Sequence, residues 1–153
     1  MEEAIYIDSF SAEDTYELGR SIGMNANPGL VITMDGDLGA GKTLFTQGLA
    51  EGLGITEPVN SPTFTILQIY DTGRLPLYHF DVYRIEDPYE MDEVGFDDFI
   101  YGEGVSVIEW SGQIDDILPD DRLEIVISRD VNKGFDYRSI RITNHGKCEI
   151  TIQ

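Results

Sequence analysis

The chain has a single cysteine, Cys148, so no intrachain disulfide can form and stability has to come from packing. Basic residues are scarce: seven Arg and three Lys face 29 Asp plus Glu, for a formal charge of −19. A surface this acidic repels phosphate backbones, which argues against direct, high-affinity nucleic-acid binding as the sole activity. A basic protein partner and a salt-adapted host proteome both account for the excess. No apolar run approaches the ~20 residues of a membrane-spanning helix. The first residues, MEEAIYIDSF, are acidic and lack the basic-then-apolar pattern of a signal peptide. A soluble, cytoplasmic protein with no membrane association is expected. The 153 residues, 41% of them hydrophobic, suffice for one domain with a real core and are too few for two. Sixteen Gly and six Pro fit neither a fibrous nor a disordered class.

Along the chain there are no repeats and no linker-like stretches. Ala4–Ile7 fits a short edge strand. Ser11, with Asp14 three residues later, forms a capping-box pattern opening a helix to about Met24. Leu30–Met34 is a continuous apolar run bounded by turn residues, the mark of a buried strand. After a Gly-rich loop, Leu44, Phe45, Leu49 and Leu53 recur at helical spacing, and Gly54 is placed to end that helix. Thr63–Tyr70 and Leu75–Asp81 flank the turn Asp71-Thr72-Gly73 as a hairpin. Asp87-Pro88 opens a short acidic helical segment. Val105–Trp110, Leu123–Ser128, Tyr137–Thr143 and Glu149–Ile152 complete the strands. Strand–loop–helix units followed by a run of strands predict a three-layer α/β domain with a mixed sheet, occupying residues 1–153 as one unit.

One stretch carries chemistry outright. Residues 36–43, GDLGAGKT, match G-x-x-x-x-G-K-[ST] at every fixed position, after a buried strand and at the start of a helix. Glycines let backbone N–H groups turn inward around a phosphate, and the helix N-terminus adds partial positive charge. Lys42 would bridge the β- and γ-phosphates, and the Thr43 hydroxyl would ligate Mg²⁺.

Such a site also needs a carboxylate at a strand end. Asp81 and Glu109 are the two candidates, Glu109 closing the cleaner hydrophobic strand. Thr63, in Ser61-Pro62-Thr63-Phe64-Thr65, is either a switch-like γ-phosphate contact or part of an ordinary turn stiffened by Pro62. Trp110, read locally, fits the core better than a pocket wall. His79 and His145 have no Cys/His cluster around them, which disfavours zinc. Glu86–Asp98 lacks EF-hand spacing and fits a solvated face. Guanine specificity is disfavoured too, because Asn132-Lys133-Gly134-Phe135 has Phe where the N-K-x-D motif needs Asp. The arginines are scattered singly, unlike those of a kinase lid. A minimal ATPase remains, with a free-standing small-molecule kinase as the alternative.

Taken in order, GDLGAGKT, SPTFT, YHFDVYR at 78–84 and IEW at 108–110 strongly resemble the bacterial TsaE (YjeE/YdiB) ATPases of tRNA threonylcarbamoyladenosine synthesis. The resemblance implies a P-loop NTPase-like α/β fold. It implies ATP hydrolysis with Mg²⁺ in support of threonylcarbamoyl transfer to adenosine 37 of tRNAs reading ANN codons. The transfer itself would belong to a TsaB–TsaD pair, with tRNA met only through that complex. It further implies that Asp37, Leu38, Gly39, Ala40, Gly41, Lys42 and Thr43 wrap the phosphates, and that Thr43 and Glu109 hold Mg²⁺. Asp81 would lie near the γ-phosphate, completing a catalytic set of Lys42, Asp81 and Glu109. The segment around Ser9 and Ser11 would approach the adenine, Trp110 would stand near the nucleotide, and Arg84 would contribute charge in cis.

Overall fold

The computed structural model describes residues 3–36, 41–60 and 65–146. Seven strands form one mixed sheet: β1 (Glu3–Ser9), β2 (Val31–Gly36), β3 (Leu67–Tyr70), β4 (Leu77–Asp81), β5 (Val105–Glu109), β6 (Arg122–Arg129) and β7 (Arg138–His145). Their order is β1-β7-β6-β2-β5-β4-β3. The inner strands β6, β2, β5 and β4 run parallel, and antiparallel strands flank them on both sides. Apolar runs such as Val105–Glu109, buried at every position, are what a strand covered on both faces requires. The parallel strands all end at one edge of the sheet, where α/β domains bind their ligands.

Helices α1 (Ala12–Asn25) and α2 (Lys42–Gly52) cover one face. Leu18, Ile22, Phe45 and Leu49 pack there against Ile32, Met34, Val107, Ile125 and Ile140. The other face buries Val31, Phe80 and Ile108 under Met91, Phe96 and Ile114. Those residues come from the 3₁₀ segment Pro88–Val94, from α3 (Phe96–Ile100) and from the 3₁₀ segment Ser111–Ile117. The result is the expected three-layer α/β architecture.

The two long helices approach unusually closely because four glycines alternate across their contact. A Cβ on Gly48 would lie 2.1 Å from the Tyr16 carbonyl oxygen, and one on Gly19 would lie 2.2 Å from that of Phe45. Gly23 and Gly52 repeat the arrangement one turn on, at 2.3 Å and 2.2 Å from the carbonyls of Leu49 and Arg20. No side chain fits between these backbones. Arg74, from the β3–β4 connection, closes the end of α1 by donating to the carbonyls of Gly23 and Ala26 at 2.7 and 3.0 Å, reinforcing the helix end where the Ala26 N–H also bonds the Gly23 carbonyl.

Local details differ from the sequence reading. Ser11 caps α1 as expected, accepting from the Asp14 N–H at 3.2 Å. The Asp14 carboxylate, however, accepts from Phe10, one residue before the cap, so the reciprocal capping-box bond is displaced. That reciprocal box does occur at Asp87 and Glu90. β3 begins at Leu67, so Thr65 and Ile66, expected within it, precede it, while Thr63 and Phe64 lie outside the described residues. The strand expected at Glu149–Ile152 lies outside the described residues. Among the described residues, no helix is long and apolar enough to cross a membrane.

Candidate functional site

β2 delivers the chain to its edge of the sheet at Gly36, whose φ is +137° and whose missing Cβ would collide with the Ile127 carbonyl oxygen at 2.0 Å. The motif resumes at Gly41, with a φ of +112°, as the N-cap of α2. Unlike α1, which has a serine cap and Glu13 and Asp14 in its first turn, α2 has no side-chain cap and no acid there. Its first N–H groups and its dipole therefore favour an anion. Asp37, Leu38, Gly39 and Ala40 lie outside the described residues, as does Thr63.

Lys42 is 6% exposed, yet its ammonium is only loosely held, 3.5 Å from the Gly36 carbonyl and 4.3 Å from the centre of the Trp110 ring. Such a cation–π contact is easily exchanged for a phosphate. Trp110 is thus half-buried, packed against the edge of the core and beside the lysine, and not enclosed in the core as its local pattern indicated. The core was a reasonable reading because Trp110 directly follows a buried strand. The chain turns at that residue with a φ of +63°, the one non-glycine in the left-handed region among the described residues. Asp35 holds the turn from β2, accepting from the Ser111 N–H at 3.0 Å and from its hydroxyl at 2.6 Å.

Asp81 and Glu109 close adjacent parallel strands and are direct register partners, while Met34 of β2 pairs with Glu109 on its other side. The two expected carboxylates and the phosphate-loop strand therefore meet at one point. Burial pushes the Asp81 carboxyl above its ordinary value, opposed by a bond from the Tyr83 N–H; the nearby Glu109 charge raises it further, while His79 and Lys42 pull it down. A group raised in the folded state stabilises the fold fully below its unfolded value, near 3.8, and loses that contribution as pH rises through the folded value. Asp81→Asn should therefore raise Tm at pH 7. The gain should disappear as the pH approaches 4, which thermal unfolding at the two pH values would check.

The N-terminal segment joins the same edge. The Ser9 hydroxyl donates to the Ser11 carbonyl at 2.9 Å and shares a 2.7 Å bond with Thr15. The Thr15 methyl would lie 3.7 Å from a Cβ built on Gly41. Arg84 is exposed in the turn after β4.

Sequence reading missed two links. His79, taken as isolated, lies 2.5 Å from Glu109. Asp35 was not singled out at all. His145 likewise pairs with a carboxylate, that of Glu124, at 2.5 Å. Among the described residues no three His, Cys, Asp or Glu side chains form a metal cluster. A threonine hydroxyl with one or two strand-end carboxylates is a sparse, hard-oxygen set, which suits a Mg²⁺ that keeps several waters and shares phosphate oxygens.

A glycine-rich sequence between a buried parallel strand and a helix, flanked by strand-end carboxylates, defines a P-loop NTPase-like domain. Residues 9–140 match the family described as "Threonylcarbamoyl adenosine biosynthesis protein TsaE", and the chain belongs to that family. It is 52% identical over 134 residues to the tRNA threonylcarbamoyladenosine biosynthesis protein TsaE of Bacillus subtilis, covering 88% of this chain and 82% of that one. The protein of the same name from Treponema pallidum is 41% identical over 144 residues, 94% of this chain and 96% of the relative. Among solved structures, the crystal structure of Bacillus subtilis YdiB matches with a TM-score of 0.82 at 43% identity, covering 95% of this chain and 88% of that one.

Proposed function

We propose that this chain is a Mg²⁺-dependent ATPase subunit in the formation of threonylcarbamoyladenosine at position 37 of tRNAs reading ANN codons. In this reading it works with TsaB- and TsaD-type proteins, the latter performing the transfer, and meets tRNA only through them. The observation that carries the proposal is the meeting of Asp81 and Glu109, at the ends of the adjacent parallel strands β4 and β5, with Lys42 at the start of the helix that follows β2. The names of the family and of its relatives supply the pathway.

Residues 37–43 would cradle the phosphates of ATP, with Lys42 leaving the Trp110 ring for a phosphate oxygen. Thr43 and Glu109 would hold Mg²⁺, whose chemistry is to neutralise charge on the phosphate oxygens. Asp81, with its raised proton affinity, is suited to orient or accept a proton from an attacking water. The segment around Ser9 and Ser11, linked through Thr15 to the Gly41 side of the loop, would approach the adenine. Arg84 is exposed, so transition-state charge lacks a fixed arginine until a partner arrives, and intrinsic turnover should be slow. ATP- and ADP-bound forms would then differ in their affinity for the partner, and hydrolysis would reset the complex.

The test is phosphate release from ATP with Mg²⁺, measured for the chain alone and with the cognate TsaB–TsaD pair. Slow turnover that rises clearly on addition is the expected result. No rise, with ATP binding and complex formation both established, would overturn the partner-dependent role. A phosphorylated small molecule appearing in place of free phosphate would mark a kinase instead.

A further inference from the structure

We propose that His79 is a positioning residue that sets the orientation of the Glu109 carboxylate toward the metal, an assignment that rests on the Mg²⁺-ATPase reading above. His79 Nε2 and Glu109 Oε2 are 2.5 Å apart, and the two side chains are 0% and 5% exposed. The contact joins a ring nitrogen to a carboxylate oxygen, so the assignment makes Nε2–H the donor and Oε2 the acceptor. The register explains the contact. Asp81 lies opposite Glu109 and His79 opposite Val107, so strand alternation puts all four on one face and His79 reaches diagonally to Glu109. Holding Oε2 fixes the plane of the carboxylate, and with it the direction in which Oε1 points.

Packing alone does not call for an imidazole there. Leu77, two residues earlier on the same face of β4, is fully buried and apolar. His79 Nδ1 is buried with no hydrogen-bond partner among the described residues. The fold thus carries an unsatisfied polar atom beside the Nε2 contact to Glu109, a cost that filling the space alone would not impose. Side chains that orient metal-binding groups are the usual beneficiaries of such an arrangement.

The experiment compares the wild-type chain with His79→Gln and His79→Asn, measuring the affinity of a fluorescent ATP analogue with and without Mg²⁺. Glutamine places an N–H donor near the position of Nε2, whereas asparagine places it near that of Nδ1. In H79N the Mg²⁺-dependent gain in affinity should fall about 10- to 100-fold. Its Mg²⁺-free affinity should stay within about twofold of wild type, and H79Q should recover most of the loss. A merely structural histidine would move both affinities together. An unchanged Mg²⁺ gain in H79N, or an equal loss in H79Q and H79N, would overturn the role. In the nucleotide-free wild type, the ¹⁵N spectrum of the imidazole should show Nε2 protonated; a bare Nε2 would overturn it even if neither variant folded. A wild type that binds ATP with no Mg²⁺ gain at all, while its Nε2 is protonated, would instead remove the Mg²⁺-ATPase reading and the role that rests on it.

Discussion

Glu109→Gln is expected to lower Mg²⁺-dependent ATP hydrolysis by about 100- to 1,000-fold, the usual cost of removing one preorganised electrostatic group from a transition state. Nucleotide binding should survive, because Gly41, Lys42 and the N-terminus of α2 do not depend on Glu109. The fold should survive as well. The glutamine carbonyl can still accept the His79 Nε2–H bond that Glu109 Oε2 accepts at 2.5 Å. Glu109→Ala is the informative contrast. It removes the same charge but leaves a buried donor with nothing to bind, a loss of about 1–3 kcal/mol. In a chain of this length, that lowers Tm by about 2–12 °C. Equal hydrolysis in the two variants with unequal Tm would separate the chemical role of Glu109 from its structural one. Wild-type turnover in Glu109→Gln would remove Glu109 from the mechanism altogether.

These two aspects of Glu109 were not equally legible in the sequence. Its position at the end of Val105–Glu109 was, because a strand-end acid after an apolar run is a local pattern. So were the phosphate loop, whose glycines and lysine sit at fixed spacing, and the Ser11 cap of α1, which needs four consecutive residues. The partnership with His79 was not legible, since it spans 30 positions and exists only because β4 pairs in parallel with β5 in one particular register. The Asp35–Ser111 bond spans 76 positions and depends on how β2 and β5 lie side by side, so the turn that puts Trp110 over Lys42 was equally hidden. A shift of one residue in the β4–β5 register would have sent His79 to the opposite face. The edge strand β3 was read too long for a related reason: only the residues that face β4 are held in the ladder, and its partner β4 has five. One further feature was written in plain spacing and overlooked. Gly19 and Gly23, and Gly48 and Gly52, stand four apart, the period that brings small residues to one face of a helix.

That face sets a second large effect, on stability. In Gly48→Ala the new methyl would lie 2.1 Å from the Tyr16 carbonyl oxygen, a backbone atom that cannot rotate aside. The helices must separate, and overpacking of this kind costs about 1–3 kcal/mol or more. Alanine's better helix propensity returns only about 1 kcal/mol at most. The upper part of the range applies because backbone meets backbone, and after that return a net loss of about 2 kcal/mol lowers Tm by about 4–8 °C for a chain of this size. Gly19→Ala strains the same interface from the other helix, 2.2 Å from the Phe45 carbonyl oxygen. Once either substitution has moved the helices apart, the second meets a gap already opened. The double variant should therefore lose distinctly less than the sum of the two, by at least about 0.5 kcal/mol. Denaturant unfolding of the four proteins would show this as a coupling energy. Strict additivity would mean that the helices deform locally and do not separate as rigid bodies. The consequence reaches the candidate site, because α2 begins at Lys42 and α1 carries Thr15 against Gly41. A displaced α2 moves Lys42 relative to Glu109 on the fixed sheet, so both alanine variants should also lose ATP turnover at temperatures where they remain folded.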